Sequence, residues 1–316
     1  MQHTPLDNLG CCCGYPLPGN RDCSALRITV KACAKINLGL RILGLRQDGF
    51  HDIRSVFQEI SLHDTVTLDV REGRGEISLH CSSSEIPSDS SNLVWKAAEL
   101  FQSFFHSKLD VRIELEKRIP SRAGLGGGSS DAAAVLRGLA ELKGVDSESL
   151  VESSAELGSD VPFFMTGGTA LVEGRGERIA HIPGIPFHAV LIHPNTSVST
   201  PWAYEMWDKE ANTYLTDSGL IRHYSASSAV WHEGKPFPLE LRNDFLPLLE
   251  KHIPEITEVS RYLADAKCSN WGLSGSGPTF YVLFRRAGEA CDFSRNLQWD
   301  FTICRSAETA GASSNG

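Results

Sequence analysis

The fold is decided by the stretch Pro120-Ser121-Arg122-Ala123-Gly124-Leu125-Gly126-Gly127-Gly128-Ser129-Ser130-Asp131, which joins a predicted strand to a predicted helix. Before it, the apolar residues of 111–115 alternate with polar ones, which is the period of a half-buried β-strand. After it, residues 129–142 are rich in alanine and carry their large apolar side chains on one face, which predicts a helix. A glycine-rich turn therefore lies between the end of a strand and the start of a helix.

The composition of this turn suits a bound phosphate. Gly126, Gly127 and Gly128 follow one another, and glycine permits positive φ angles and close backbone approach to a bulky anion. The free amides at the start of the following helix, together with the helix dipole, attract phosphate. Ser129 and Ser130 add hydroxyl groups for phosphate oxygens or a metal ion. We therefore predict a phosphate-binding loop here, in preference to a flexible helix cap.

Two common phosphate-binding patterns do not fit the stretch. It does not end in Gly-Lys-Ser or Gly-Lys-Thr, so it is not a Walker A loop. Gly124, Gly126 and Gly128 stand two residues apart, and no isolated acidic residue follows at the distance that a dinucleotide-binding fold requires. The loop therefore belongs to another class of nucleotide-binding protein.

Strands and helices are interleaved along the rest of the chain. Period-two alternation predicts strands that include residues 36–42, 66–70, 168–172, 188–192 and 279–284. Helical spacing predicts a helix after the N-cap Asn92, further helices at 147–157 and 254–266, and a helix plus loop within 200–238. Because the elements do not follow strict β-α-β alternation, we predict an α+β fold with antiparallel sheets.

Composition excludes several classes of protein. The 316 residues carry 30 basic and 39 acidic side chains, with no run of Lys and Arg, which argues against a nucleic-acid partner. The nine cysteines include no C-x-x-C pair, so we expect buried thiols in a reducing, cytoplasmic compartment. The run Cys11-Cys12-Cys13 has no partner at zinc-like spacing, and we predict no metal-ligating residues. No signal peptide or membrane span is expected.

Six further motifs narrow the assignment. They are Ala34-Lys35-Ile36-Asn37-Leu38, Asp48-Gly49-Phe50-His51, Leu157-Gly158-Ser159-Asp160-Val161-Pro162-Phe163-Phe164, Ser199-Thr200-Pro201-Trp202-Ala203-Tyr204, Asn243-Asp244-Phe245 and Gly272-Leu273-Ser274-Gly275-Ser276-Gly277-Pro278. With the glycine-rich loop, they resemble the GHMP superfamily, which is named for galactokinase, homoserine kinase, mevalonate kinase and phosphomevalonate kinase. Within it, the resemblance is strongest to the 4-diphosphocytidyl-2-C-methyl-D-erythritol kinases.

The resemblance implies a two-domain α+β architecture. It consists of an N-terminal domain like ribosomal protein S5 and a C-terminal ferredoxin-like domain, with the active site between them. On this basis we expect a nucleotide-binding domain at 26–186 and a substrate-side domain at 187–308. Residues 1–25 and 309–316 are expected to be a disordered extension and a disordered tail.

The resemblance also implies an activity and a set of site residues. The activity is ATP-dependent phosphorylation of the C2 hydroxyl of a cytidine-diphosphate sugar alcohol in non-mevalonate isoprenoid synthesis, with Mg²⁺ bridging the ATP phosphates. The implied residues are Lys35 and Asp160 for catalysis, Asn92 and 120–130 for ATP, and Asn37, Phe50, His51, Thr200 and Tyr204 for the acceptor. Phe50 lacks the hydroxyl of the tyrosine that is commoner there, which leaves stacking as its contribution. A monomer or weak homodimer is expected.

Two alternatives remain open. The chain could be another small-molecule kinase of the superfamily, such as a homoserine or mevalonate kinase, although the motifs around Lys35 and His51 argue against this. It could also be a sensor that binds nucleotide without turnover. The presence of both Lys35 and Asp160 argues against that second alternative.

Overall fold

The computed structural model describes residues 25–210 and 231–307. Its first half is organised by two long antiparallel strands, β1 (Leu26–Leu45) and β2 (His51–Glu72), which pair along their whole length. The turn between them is closed by a hydrogen bond from the Arg46 amide to the Phe50 carbonyl at 2.7 Å. The strands predicted at 36–42 and 66–70 are confirmed as parts of these much longer elements.

Four shorter strands complete a six-stranded sheet around β2. The second half of β2 pairs with β4 (Leu109–Glu116), and its first half pairs with β5 (Thr169–Gly174). At the edges, β3 (Ile77–Cys81) runs parallel to β4, and β6 (Arg178–His181) runs antiparallel to β5. Strands β3 and β6 were not predicted, because edge strands expose alternate residues and carry few apolar side chains.

Two helices cover this sheet, α1 (Leu93–Phe104) and α2 (Gly127–Lys143), and both were predicted. The single helix expected at 147–157 is wrong. A 3₁₀ turn at Ser147–Leu150 is followed there by one α-helical turn, α3 (Val151–Ser154). Serine side chains in this segment bond the nearby backbone, as when Ser149 Oγ donates to the Asp146 carbonyl at 2.7 Å, and such bonds compete with a regular helix.

A short helix, α4 (Val161–Thr166), follows Asp160 and was not predicted. Five of its six residues are buried, so the segment has no polar face and no helical periodicity. Sequence patterns cannot distinguish such a short buried helix from a buried strand.

The second half of the chain forms a four-stranded antiparallel sheet. Its strands are β7 (His188–His193), β8 (Trp271–Leu273), β9 (Phe280–Phe284) and β10 (Asp300–Arg305). Their spatial order is β10-β7-β9-β8, which is the split β-α-β order of a ferredoxin-like domain. The strands at 188–192 and 279–284 were predicted, whereas β8 and β10 were not.

Four helices accompany this second sheet: α5 (Thr200–Glu210), α6 (Leu246–His252), α7 (Pro254–Asp265) and α8 (Ala287–Ser294). The helix expected within 200–238 is present as α5, and the predicted helix at 254–266 is α7. Neither α6 nor α8 was predicted. Residues 211–230 of the expected loop lie outside the described residues, as do residues 1–24 and 308–316 of the predicted extension, domain end and tail.

An apolar core joins the two sheets. Ala34 and Ile36 of β1 pack in the same cluster as Leu191 of β7 and Tyr281 of β9. The buried Tyr281 hydroxyl also donates a hydrogen bond to the Asn37 carbonyl at 2.8 Å. Strand β1 is therefore shared structurally by both halves, and the residues that follow Ala34 lie at their junction.

Among residues 25–210 and 231–307, none of the helices has the length and apolar character needed to cross a bilayer. The cysteines in these ranges are free thiols, and the Cys11–Cys13 run lies outside them. Cys304 is buried, and burial raises the pKa of its thiol to about 12. The expectation that Cys291 is buried is wrong. Cys291 is exposed, because it lies on the outer face of α8.

Candidate active site

A cavity of about 990 Å³ lies at the junction of the two sheets. One wall is the glycine-rich loop and the start of α2. The opposite wall carries Phe50 and His51, and Tyr204 of α5 lies beside them. Lys35 and Asp160 line the space between these walls. The fold thus brings the sequence motifs into one concave site.

The glycine-rich loop presents the start of α2 to this cavity. Gly124 and Gly126 have φ angles of 75° and 71°, and Gly126 is the N-cap residue. Gly126 has no side chain that could cap the helix, and the first residues of α2 line the cavity, so their amides are available as donors for an anion. We expected the three consecutive glycines to adopt positive φ angles. Only Gly126 does so, because Gly127 and Gly128 are part of the helix.

The loop is held by the glycine-rich turn of the second half. A Cβ atom on Gly124 would overlap the carbonyl oxygen of Ser274. The Ser274 hydroxyl donates to the Gly124 carbonyl at 2.9 Å. Gly128 differs, because the nearest heavy atom to a Cβ placed there is 3.7 Å away. Gly124 is therefore required for packing, whereas Gly128 leaves space open at the cavity wall.

The two serines of the loop point in different directions. Ser129 lines the cavity, and its contact with a phosphate or a metal ion stays a prediction. The Ser130 hydroxyl is buried and donates to the Cys33 carbonyl at 2.6 Å. The expectation that Ser130 offers its hydroxyl to a ligand is therefore wrong. Its side chain ties α2 to β1, and its amide already bonds the Gly126 carbonyl at 2.9 Å.

Sequence reasoning missed a buried ionic cluster beneath the loop. The Lys117 ammonium contacts Asp64 and lies 2.7 Å from Asp131 Oδ2. Asp64 also accepts backbone hydrogen bonds from Arg118 and Ile119, so it fixes the strand end that leads into the loop. Burial opposes the charge on Lys117, but the two carboxylates raise its pKa overall.

Asp131 is the less well satisfied carboxyl of this cluster. Its Oδ1 is buried and, within the described part of the chain, has no hydrogen-bond partner. Burial raises the pKa of the Asp131 carboxyl to about 7, against the opposing effect of Lys117. The sequence does show an acidic residue, Asp131, directly after Ser130. Nothing in the sequence indicates which residues Asp131 contacts.

The two residues predicted to be catalytic lie side by side. Lys35 Nζ is 3.6 Å from Asp160 Oδ2, with side-chain exposures of 5% and 29%, respectively. The ammonium also lies 4.4 Å from the centre of the Phe57 ring. Burial lowers the pKa of Lys35, and the Asp160 carboxylate partly opposes this. Asp160 makes no capping bond to α4, so its carboxylate is available to a ligand.

Asn37 lies at the cavity, but its side chain is occupied within the protein. Its Oδ1 accepts hydrogen bonds from Lys35 Nζ at 2.6 Å and from the Gly275 amide at 2.8 Å. Its Nδ2 donates to Ser55 Oγ at 2.8 Å. The geometry supports a role in positioning Lys35, in contrast to the predicted contact with substrate.

The predicted acceptor-binding aromatics form one group. The rings of His51 and Tyr204 are stacked, with centroids 4.6 Å apart, and His51 Nε2 is 2.7 Å from Asp208 Oδ1. Burial raises the pKa of the Tyr204 hydroxyl, and the charge of Asp160 adds to this effect. Phe50 is 48% exposed at the same wall. A planar ligand therefore meets aromatic surface on this side of the cavity.

Two further predicted residues have internal partners. Thr200 Oγ1 lies 2.8 Å from Ser276 Oγ, which links α5 to the glycine-rich turn of the second half. The Asn92 side chain caps α1 by accepting from the Val94 amide at 2.9 Å, and it donates to the Pro87 carbonyl. Both residues line the cavity, and their contacts with a ligand stay predictions.

Family models match both halves of the chain. The model described as GHMP kinases N terminal domain matches residues 92–168. The model described as GHMP kinases C terminal matches residues 236–298. The first range contains the glycine-rich loop and Asp160, and the second contains the glycine-rich turn that packs against the loop.

Similar proteins extend this match over most of the chain. A 4-diphosphocytidyl-2-C-methyl-D-erythritol kinase from Brevibacillus brevis is 48% identical over 264 residues, which is 83% of this chain and 89% of that protein. One from Geobacter sulfurreducens is 36% identical, covering 86% of this chain and 96% of that protein.

Solved structures give the same result. A crystal structure of 4-(cytidine 5'-diphospho)-2C-methyl-D-erythritol kinase superposes with a TM-score of 0.70 at 32% identity, covering 89% of this chain and all of that one. A homoserine kinase from Cytophaga hutchinsonii, at 16% identity, covers 93% of this chain and 98% of that one with a TM-score of 0.62, and it shares the fold alone. The chain therefore belongs to the 4-diphosphocytidyl-2-C-methyl-D-erythritol kinase family of GHMP kinases.

Proposed function

We propose that this protein transfers the γ-phosphoryl group of ATP to the C2 hydroxyl of 4-diphosphocytidyl-2-C-methyl-D-erythritol, in non-mevalonate isoprenoid synthesis. The observation that carries the proposal is the Lys35–Asp160 pair, which lies 3.6 Å apart between the start of α2 and an aromatic wall. The start of α2, on one side of this pair, is suited to a triphosphate. The aromatic wall, on the other side, is suited to the cytosine ring of the acceptor. The members of the family described above are named for the same reaction.

The triphosphate would be held mainly by backbone. The amides of Gly127, Gly128 and Ser129 begin α2 and face the cavity, and the helix dipole adds attraction for an anion. The absence of a side chain at Gly128 leaves room for the phosphates. This arrangement explains how a chain with a net charge of −9 binds an anionic nucleotide without a large basic patch.

Mg²⁺ in nucleotide sites is commonly held by one or two protein oxygens together with the substrate phosphates. Ser129 carries a side-chain hydroxyl at the cavity and would hold such an ion. When bound, the ion neutralises charge on the phosphates. Among residues 25–210 and 231–307, no group of three or more His, Cys, Asp or Glu side chains forms a metal site. The protein's contribution to Mg²⁺ binding is therefore part of the proposal.

Asp160 is placed to act on the acceptor alcohol. A tertiary hydroxyl is crowded and weakly acidic, so its rate of reaction depends strongly on orientation by the enzyme. The Asp160 carboxylate orients this hydroxyl and accepts its proton as the oxygen attacks the γ-phosphorus. The bond from the γ-phosphorus to the bridging oxygen of the β-phosphate breaks in the same transfer, and ADP leaves. The Lys35 ammonium offsets the charge of that carboxylate and of the transferring phosphoryl group.

The aromatic wall is suited to the cytosine ring. Phe50 offers an exposed ring face, and Tyr204 lies beside the buried His51. Stacking supplies affinity for a pyrimidine, and the imidazole supplies a polar group for its edge. Homoserine and mevalonate have no ring to stack, so this wall favours the nucleotide acceptor over both alternatives.

The test is ATP consumption by the purified protein with 4-diphosphocytidyl-2-C-methyl-D-erythritol, homoserine or mevalonate, in the presence of Mg²⁺. We expect turnover only with the first, a phosphate at C2 by phosphorus NMR, and loss of activity on chelation of the metal. Equal or faster turnover of homoserine or mevalonate contradicts the proposal. Binding of ATP without turnover of any acceptor indicates a nucleotide sensor.

We also propose that the protein acts in the cytoplasm as a monomer or weak homodimer. All the residues invoked above come from a single chain, so the chemistry does not require a second copy. Sedimentation of the purified protein across a range of concentrations tests the assembly, and cell fractionation tests the compartment.

A further inference from the structure

The turn between β5 and β6 touches the segment that carries Asp160. Gly174 and Gly176 flank Arg175 in this turn and have φ angles of 73° and 127°. A Cβ atom on Gly176 would lie 3.0 Å from the Ser159 carbonyl oxygen and 3.1 Å from the Ser159 Cβ. The turn therefore packs closely against Ser159, the residue before Asp160. A side chain larger than glycine at position 176 would push this segment away.

The backbone of Arg175 is fixed by its neighbours. The Arg175 amide donates to Glu177 Oε2 at 2.7 Å. The Gly176 amide bonds the Glu173 carbonyl across the turn at 3.3 Å. Glu177 is itself oriented by Arg46, whose guanidinium lies 3.9 Å away. Arg175 is therefore presented from a defined position.

The side chain of Arg175 lines the cavity. Its guanidinium carbon lies 5.1 Å from the centre of the Phe50 ring. Within residues 25–210 and 231–307, no carboxylate comes within ion-pair distance of this guanidinium. Its neighbour Arg46, by contrast, pairs with Asp48 and Asp52. Arg175 is thus a cation at the acceptor wall that has no acidic partner in the described structure.

The position of Arg175 relative to the two ends of the acceptor suggests its role. In a nucleoside diphosphate ester, the diphosphate lies between the base and the esterified alcohol. Phe50 marks the proposed base end, and Asp160 marks the alcohol end. The Arg175 guanidinium lies over the Phe50 ring, and its turn touches the residue next to Asp160. The guanidinium is therefore located where the diphosphate has to pass.

We propose that Arg175 binds the diphosphate of the nucleotide acceptor and so helps to select nucleoside diphosphate esters over uncharged alcohols. This inference rests on the proposed function of the site. A planar guanidinium can donate two parallel hydrogen bonds to phosphate oxygens, which adds geometric specificity to the charge attraction. Its cation–π contact with Phe50 holds the guanidinium at the cavity.

The test compares cytidine 5'-diphosphate with cytidine, titrated calorimetrically into wild type, Arg175→Gln and Arg178→Gln. Arg178 is an exposed residue of β6, so its variant makes the same change of charge three residues from Arg175. We expect Arg175→Gln to weaken cytidine 5'-diphosphate binding about 10–100-fold, the range for loss of a charged hydrogen bond. Cytidine binding should change less than about twofold, and Arg178→Gln should leave both affinities unchanged.

Kinetics provide a second measurement on the same variants. Arg175→Gln should raise the KM for the acceptor by a similar factor and leave the KM for ATP unchanged, and Arg175→Lys should recover part of the loss because it keeps the charge. An equal loss for cytidine and its diphosphate would mean that Arg175 only supports the Phe50 platform, and it would overturn the proposal. So would unchanged binding of both ligands. If wild type binds neither ligand, the proposed acceptor class itself fails, and this inference fails with it.

Discussion

Lys35 Nζ lies 3.6 Å from Asp160 Oδ2, yet it makes its shorter contact, 2.6 Å, with Asn37. The buried ammonium is therefore held by a neutral amide as well as by the Asp160 carboxylate. Both side chains line the cavity, and Asp160, at 29% side-chain exposure, is the more accessible of the two.

Replacement of Asp160 by Asn separates catalysis from folding. The amide keeps the size of the carboxyl but removes its charge and basicity, so turnover should fall roughly 10²–10⁴-fold. ATP affinity and the melting temperature should change little, because Asp160 makes no capping bond to α4. The control Asp265→Asn, at an exposed position near the end of α7, should retain full turnover. Near-normal turnover in folded Asp160→Asn would refute the catalytic role.

The double variant Lys35→Ala/Asp160→Asn tests whether the pair acts as a unit. If it does, the double variant should be hardly slower than the slower single variant. The measurement is kcat for all four proteins under saturating ATP and acceptor. Losses that multiply across the two sites would instead show that the residues act independently.

Asn37→Ala should act through Lys35. Its removal leaves the Lys35 ammonium and the Gly275 amide without their shared acceptor, at a cost of about 1–3 kcal/mol for each unsatisfied group. We expect lower stability in urea and a lower kcat with little change in the acceptor KM. Asn270→Ala, which loses only the bond from the Phe237 amide, should be less stable with normal kcat. A large rise in acceptor KM would restore Asn37 to the substrate-binding residues.

Two glycines of the loop should respond oppositely to the same methyl group. At Gly124 an alanine has a φ of 75° and overlaps the Ser274 carbonyl, so it should destabilise the fold by about 1–3 kcal/mol or more. At Gly128 an alanine is helical and meets no atom within 3.7 Å, so stability should hold or rise by up to about 1 kcal/mol. ATP affinity should nevertheless fall for Gly128→Ala, because the methyl occupies phosphate space. Thermal melts and nucleotide titration separate the two effects, and unchanged ATP affinity would place the phosphates elsewhere.

Stability should depend on pH through Asp131. Its pKa is about 7 when folded, above the unfolded value of 3.8, so between these values only the folded state keeps the proton. Stability from this group is therefore present in full at low pH and is lost as pH rises toward 7. Asp131→Asn mimics the neutral acid and should flatten this slope. Urea unfolding of both proteins at pH 5, 6, 7 and 8 is the measurement, and parallel profiles would contradict the assignment.

The sequence identified the elements that carry strong periodicity and the motifs that carry chemistry. Helix α2, strands β7 and β9, and the choice of Lys35 and Asp160 as site residues were all accessible in this way. Contacts between distant segments were not. Asp131 pairs with Lys117, which also contacts Asp64, and no local pattern connects these three residues. Ser130 looked like a ligand because hydroxyls at a helix start often bind phosphate, whereas its rotamer turns it toward β1.

Asn37 has a consequence for how the two halves of the protein cooperate. Its side chain bonds Lys35 on one side and the Gly275 amide on the other, while its carbonyl accepts from Tyr281 of the second sheet. Asn37 thus connects the two halves and also positions the Lys35 ammonium. Any motion that separated the two sheets would break the hydrogen bond between Asn37 and Gly275 and also the one between Ser274 and Gly124. The support of Lys35 and the support of the phosphate loop would therefore be lost together.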